Sequence, residues 1–201
     1  MLDNVLPTRT TQLLNNFDSS DLPDGAYLAG GTACALWLGH RRSVDLDFFT
    51  PREFSVDQWR QQWETKFNFK MFNEDWQTLE GEGREVKLAL YYYKYPLIKP
   101  PQPYQAIQVA QLEDIAAMKL ETLVNRGTKR DFIDLYFLTK KFGLKAIFCY
   151  YDRKYGNLDE RELLLRKALI YFADAEDDEM PDMLQPIDWK SIKKYFESLV
   201  L

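Results

Sequence analysis

The chain has 201 residues, 46% of them hydrophobic, and a formal net charge of −5. That is enough apolar material for one generous α/β domain or a compact α/β unit with a helical appendage, while the acidic balance excludes a protein that coats nucleic acid by bulk electrostatics and leaves room only for a local basic groove. No apolar run approaches the roughly 20 residues of a membrane span, and a single histidine with two distant cysteines excludes a zinc site, so any metal would be held by carboxylates, as magnesium or manganese is.

Met1 to Thr11 includes Asp3 and lacks the apolar centre of a signal peptide, so the expected location is cytoplasmic. Cys34 and Cys149 are accordingly expected as buried free thiols. Residues 3–17, apolar at Val5, Leu6, Leu13, Leu14 and Phe17, predict a helix. Asp24-Gly25 signals a turn into the short apolar strand Ala26-Tyr27-Leu28-Ala29. Gly30-Gly31 breaks that strand, Thr32 is the expected N-cap, and Ala33 to Leu38 reads as a helix closed by Gly39. His40 then takes a capping or turn role at that helix end.

Ser43 to Phe49 alternates, with Val44, Leu46 and Phe48 on one face and Ser43, Asp45 and Asp47 on the other, as a strand does. Residues 55–66 predict a surface helix through Val56, Trp59 and Trp63. Phe67 to Trp76 predicts a strand, Gly81 to Gly83 a turn, and Arg84 to Tyr95 a long strand whose tyrosines pack at core and edge. The four prolines between Pro96 and Pro103 mark a boundary near residue 100, with a mixed α/β half before it and a helical half, 101–201, after it. Helices are expected over 111–125, 129–142, 158–172 and 189–200, with Asp174 to Asp182 as a solvated acidic loop.

The chemistry concentrates between Leu28 and Phe49. Two glycines at a strand-to-helix turn let backbone amides approach a phosphate, and the following helix aims its positive end at it. Asp45 and Asp47 project from the same strand face and can share one or two hard divalent cations, while Arg41 and Arg42 add positive charge for phosphates. Taken singly, these are a tight turn, a solvated strand edge and a surface charge pair. Together, in a strand otherwise made of Leu, Val and Phe, the paired carboxylates need a cationic partner. Further on, Lys119 and Arg126 are spaced to share one helix face, and Asp131 and Asp134 another. They could grip a triphosphate, although spacing alone favours an interhelical salt-bridge network.

Two blocks resemble the AbiEii/AbiGii-type nucleotidyltransferase toxin family of the polymerase-beta-like superfamily. The first is Leu28-Ala29-Gly30-Gly31-Thr32-Ala33, then Gly39-His40-Arg41, then Ser43-Val44-Asp45-Leu46-Asp47-Phe48-Phe49. The second is Asp114 to Glu121 with Lys119, then Arg126-Gly127 and Lys129-Arg130-Asp131-Phe132-Ile133-Asp134-Leu135. The resemblance implies an α/β (α+β) nucleotidyltransferase-type mixed sheet flanked by helices, with the C-terminal helical domain completing a nucleotide cleft. It implies a Mg²⁺ (or Mn²⁺) held by Asp45 and Asp47, and a nucleoside triphosphate cradled by Gly30, Gly31 and Thr32. Lys119, Arg126 and Arg130 would counter its charge, and Asp131 and Asp134 would order the helix face or the acceptor. Transfer would go to a hydroxyl of RNA or protein, and the chain would be the toxin of a toxin–antitoxin or phage-defence pair with a cognate antitoxin.

The sequence also departs from that pattern. Gly31 stands where active members of the superfamily usually have serine, and Ala89 falls where they carry a third carboxylate on a later strand. Glu85 is the only acid on that strand face. Three readings follow: Glu85 substitutes, two aspartates suffice, or the chain is a nucleotide-binding pseudoenzyme. A purely structural, partner-binding protein, with Asp45 and Asp47 paired to Arg41, Arg42 or Lys87, is a further alternative.

Overall fold

Alternation along residues 46–50 is realised as a buried–half-buried pattern in the centre of a mixed sheet. In the computed structural model, which describes residues 1–200, the strands are β1 (Tyr27–Leu28), β2 (Leu46–Thr50), β3 (Lys70–Asp75), β4 (Thr78–Gly83), β5 (Val86–Tyr92), β6 (Gln102–Tyr104) and β7 (Ile107–Val109). Their order across the sheet is β3-β4-β5-β2-β1-β7-β6. β2 runs parallel to β5 and antiparallel to β1, and β1 is parallel to β7. The helices are α1 (Thr8–Leu14), α2 (Gly30–Leu38), α3 (Val56–Phe67), α4 (Leu112–Asn125), α5 (Lys129–Phe142), α6 (Leu144–Tyr155), α7 (Leu158–Ala168) and α8 (Trp189–Val200). None is long and apolar enough to cross a membrane.

One face of the sheet is core. Leu46, Phe48, Leu79, Leu88 and Leu90 are fully buried there. Phe17 closes over them, 5.5 Å from the Phe48 ring and 4.6 Å from that of Phe67 at the end of α3. The opposite face carries Asp47, Phe49, Glu80, Lys87 and Tyr91 and fronts a cleft. On the cleft's far side α4 packs against α5 and α6, and Phe132 of α5 meets Phe172, Trp189 and Phe196.

Several boundaries differ from the sequence expectation. The N-terminal helix is split into a 3₁₀ turn, Asp3–Val5, and α1, because Pro7 sits extended at the α1 N-cap (ψ 155°). Residues 81–83 are strand, not turn. The turn of the β4–β5 hairpin is Arg84-Glu85, both at positive φ (49° and 63°). Gly81 serves close packing instead, since a side chain there would strike Phe69 and the Lys70 carbonyl. α6 was not anticipated. Gly143 ends α5 and, at φ 80°, serves at once as the N-cap of α6, which buries Ile147, Phe148 and Tyr151. β6, which includes Pro103, and β7 lie beyond the expected boundary near residue 100 yet join the sheet, with Leu28 beside Val109.

The acidic stretch is partly structural rather than purely solvated. Backbone bonds Arg42 N–Asp182 O (2.8 Å) and Leu184 N–His40 O (2.9 Å) tie it to the α2–β2 loop, and Lys129 is held by the Glu176 and Asp178 carbonyls. Cys34 is buried, but Cys149 is exposed, on the outer face of α6.

Candidate functional site

A cleft of about 520 Å³ lies between the open sheet face and the α4–α5 pair. Gly30, Gly31, Thr32, Arg41, Asp45, Asp47, Lys119, Arg126, Arg130 and Asp131 all line it. Two sequence-nominated residues do not. Arg42 is half-exposed and pairs with Asp182 at 3.0 Å, and Asp134 is fully buried beneath the cleft wall.

The glycine turn is built tightly against the acidic strand. Gly30 has φ 68°, and a Cβ there would lie 3.0 Å from Asp47 Oδ2, so glycine is required for both conformation and space. The helix starts at once. Its N-cap is Ala29, not Thr32 as the sequence led us to expect. Thr32 instead donates its hydroxyl to the Asp45 carbonyl and accepts that of Ser43, whose Oγ lies 2.8 Å away. It thereby locks the first turn of α2 to the segment that carries Asp45. The departure at Gly31 has a local cause. A Cβ there would lie 2.5 Å from Nη2 of Arg41, which occupies the space a serine side chain would need.

Asp45 precedes β2 and is 30% exposed, and Asp47 lies within the strand. Burial, then the neighbouring Asp45 charge, raise the Asp47 pKa, and Lys119, Lys87 and Arg126 oppose that shift only in part. Arg130 Nη1 approaches Asp45 Oδ2 no closer than 4.0 Å. Two carboxylates are therefore crowded at the cleft beside a helix N-terminus without close neutralisation by these cations. An oxygen-only pair of this kind, open to solvent and substrate, suits Mg²⁺, which takes one or two carboxylates and completes its shell with phosphate oxygens and water. The residues fit the group.

Behind the cleft wall Lys119 donates to Asp131 Oδ1 (2.8 Å) and pairs with Asp134 Oδ2 (2.7 Å). Arg41 grips Asp134 with Nε (2.7 Å) and Nη2 (2.9 Å), and His40 Nε2 meets Asp134 Oδ1 at 2.8 Å. Burial alone would raise Asp134, but the Arg41 and Lys119 charges and the His40 and Arg41 hydrogen bonds hold it well below the usual carboxylate range. Asp131, helped by Thr128, is lowered in the same way against its burial. Desolvation works against Lys119 and Arg41, yet their aspartate partners keep both pKa values raised. The interhelical network read from spacing is thus present but buried, and Asp131 and Lys119 show one edge of it to the cleft.

Cys34, His40 and Asp134 could be read as a metal trio among the described residues. Burial and the Asp134 charge raise the Cys34 thiol, and Asp134 is already saturated by two cations, so the trio is polar core. His40 belongs to this network and packs at a tilt against Phe137 (centroids 4.9 Å apart), while Gly39 caps the end of α2.

The cleft also holds residues that spacing did not select: Glu80, Lys87, Tyr91, Tyr93, Glu121 and Asn125. Tyr91 and Tyr93, which the sequence pattern places in core and edge packing, line the cleft instead. Tyr91 donates its hydroxyl to Glu80, and burial followed by that bond raises its pKa and keeps it a phenol. Only the pairing of β4 with β5 reveals Glu80 as a cleft residue.

Comparison with known proteins agrees with this geometry. The model of the family described as "Nucleotidyl transferase AbiEii toxin, Type IV TA system" matches residues 12–69 and 84–200. A relative from Aquifex aeolicus (strain VF5), aq_aa25, is 34% identical over 180 residues, covering 87% of this chain and 85% of its own. Among solved structures, MenT4, the nucleotidyltransferase toxin Rv2826c from Mycobacterium tuberculosis H37Rv, superposes with a TM-score of 0.66 at 16% identity, over 96% of this chain and 81% of that one. JHP933 from Helicobacter pylori superposes with a TM-score of 0.58 at 17% identity, over 100% of this chain and 91% of its own. These two establish a shared nucleotidyltransferase-like fold. The family match spans most of both expected halves of the chain, and the chain belongs to the AbiEii nucleotidyl transferase toxin family.

Proposed function

We propose that the protein is a Mg²⁺-dependent nucleotidyltransferase that moves a nucleotidyl group from a nucleoside triphosphate to a hydroxyl of RNA or protein. We assign it the role of toxin in a cytoplasmic toxin–antitoxin or phage-defence pair, opposed by a cognate antitoxin. The observation that carries this reading is the convergence on one cleft of the Asp45–Asp47 pair, the first turn of α2, and Lys119, Arg126 and Arg130.

Each residue has a task. The amides of the first α2 turn have no partners within the helix and receive phosphate oxygens, with Gly30 and Gly31 allowing close approach. Asp45 and Asp47 hold the cation, which when bound neutralises phosphate charge and polarises the α-phosphate. Arg126 and Arg130, both exposed at the mouth, draw in the triphosphate. Lys119 is fixed between Asp131 and Asp134, so it presents positive charge in one place without reorganising.

The test is incubation with each of the four triphosphates labelled at the α-phosphate, with Mg²⁺, and with total RNA or total soluble protein as acceptor. Covalent label on one acceptor class supports the reading, and absence of label from both contradicts it. Ala89, at the register position next to Asp47, favours a second reading, a nucleotide-binding chain that transfers nothing. Triphosphate binding without label transfer would support that one.

A further inference from the structure

The strand that the sequence concealed brings a carboxylate to the cleft. Asp47 of β2 pairs in register with Ala89 of β5, and Ala89 pairs with Glu80 of β4. Residues directly opposite in a ladder project to the same face, so Asp47, Ala89 and Glu80 form one row across three strands. The row faces the cleft at both ends, where Asp47 and Glu80 are lining residues. Strands lie about 4.8 Å apart, so the backbones of Asp47 and Glu80 are separated by roughly 10 Å. Ala89, fully buried, places only a methyl group between them. Both ends of the row therefore line the one cleft in which a substrate hydroxyl would be held, although Ala89 between them does not reach it.

Glu80 is also held in place. It is half-buried, and its Oε1 accepts the hydroxyl of Tyr91, which lies two residues beyond Ala89 on the same face of β5. No salt bridge engages Glu80 among the described residues, whereas Glu85, the acid that the sequence offered instead, sits at the hairpin tip. There Glu85 pairs with Arg9 at 2.8 Å, and both side chains are about two-thirds exposed. Glu85 does not line the cleft.

We propose that Glu80 is the third carboxylate of this site, supplied by β4 where β5 carries alanine, and that it accepts the proton of the attacking hydroxyl. This rests on the transferase reading above. In the step, the acceptor oxygen forms a bond to the α-phosphorus. The bond from that phosphorus to the α,β-bridging oxygen breaks, and its electron pair leaves with pyrophosphate. The hydroxyl proton passes to the Glu80 carboxylate. Tyr91 is a positioning residue that sets the direction of that carboxylate.

The test compares wild type with Glu80→Gln, which keeps shape and can still accept from Tyr91, and with Tyr91→Phe. Label transfer from an α-labelled triphosphate to total RNA and to total soluble protein is measured beside calorimetric binding of the same triphosphate with Mg²⁺. The expected result is a fall in kcat of about 10²–10⁴-fold for Glu80→Gln, with triphosphate affinity and KM within about twofold. For Tyr91→Phe a smaller fall in kcat is expected. Transfer by Glu80→Gln at the wild-type rate overturns the assignment alone. Loss of triphosphate binding together with transfer also overturns it, since Glu80 would then serve the pocket or fold. Wild type that labels neither acceptor overturns the transferase reading, and the assignment with it.

Discussion

Arg41 and Asp134 form a two-pronged pair, Nε and Nη2 on the two carboxylate oxygens at 2.7 and 2.9 Å, with both side chains buried. It joins the loop after α2 to the centre of α5, so the acidic strand and the basic helices are held at a fixed separation. Removing one partner leaves the other charge buried. Asp134→Asn should therefore cost about 3–5 kcal/mol of stability, read as a lowered urea midpoint with unchanged slope.

The same network predicts an acid limb. Asp131 and Asp134 are held below their ordinary values in the folded state, and an unfolded aspartate titrates near pH 4. The folded state therefore binds fewer protons than the unfolded one as pH falls below about 4. Their contribution is fully present above that pH and is lost as pH drops through the folded values. Thermal midpoints should fall steeply below about pH 4 in wild type and less steeply in Asp134→Asn.

Gly31 should not tolerate serine. The new Cβ would meet Arg41 Nη2, which is committed to Asp134 and is not free to swing away. Gly31→Ser should lose about 1–3 kcal/mol by overpacking, measured by urea unfolding. A variant as stable as wild type would mean that Arg41 can leave Asp134 at little cost.

Much of this site is legible in the sequence because the signals are local. Asp45 and Asp47 stand out against an apolar alternation, and Gly30 marks a turn whose positive φ glycine readily supplies. Glu80 is hidden because Gly81-Glu82-Gly83, directly after it, reads as a turn. Gly81 answers the approach of Phe69 and Lys70, and Gly83 that of Phe67 at the end of α3, contacts that no local pattern records. The burial of Asp134 was equally invisible. Charges three residues apart on a helix look the same on a surface as in a core, and here the segment 182–185 packs back over the His40 loop.

Arg126 tests the electrostatics of the cleft mouth. It lies just beyond α4 at φ −158°, exposed and lining the cleft, so its loss should leave the fold intact. Arg126→Ala should weaken triphosphate binding about tenfold, and the difference from wild type should shrink as salt is raised. A salt-independent difference would point to a packing role instead.

Calorimetric titration of each nucleoside triphosphate decides whether Asp45 and Asp47 form a divalent-cation and triphosphate site. The titrations are run with Mg²⁺ and with chelator, on wild type and on Asp45→Asn/Asp47→Asn. Heat is expected for at least one triphosphate, requiring Mg²⁺ and vanishing in the double variant. The variant, relieved of two crowded carboxylates, should be at least as stable as wild type without metal. No heat with any triphosphate from folded wild type, or equal heat from the double variant, would contradict such a site.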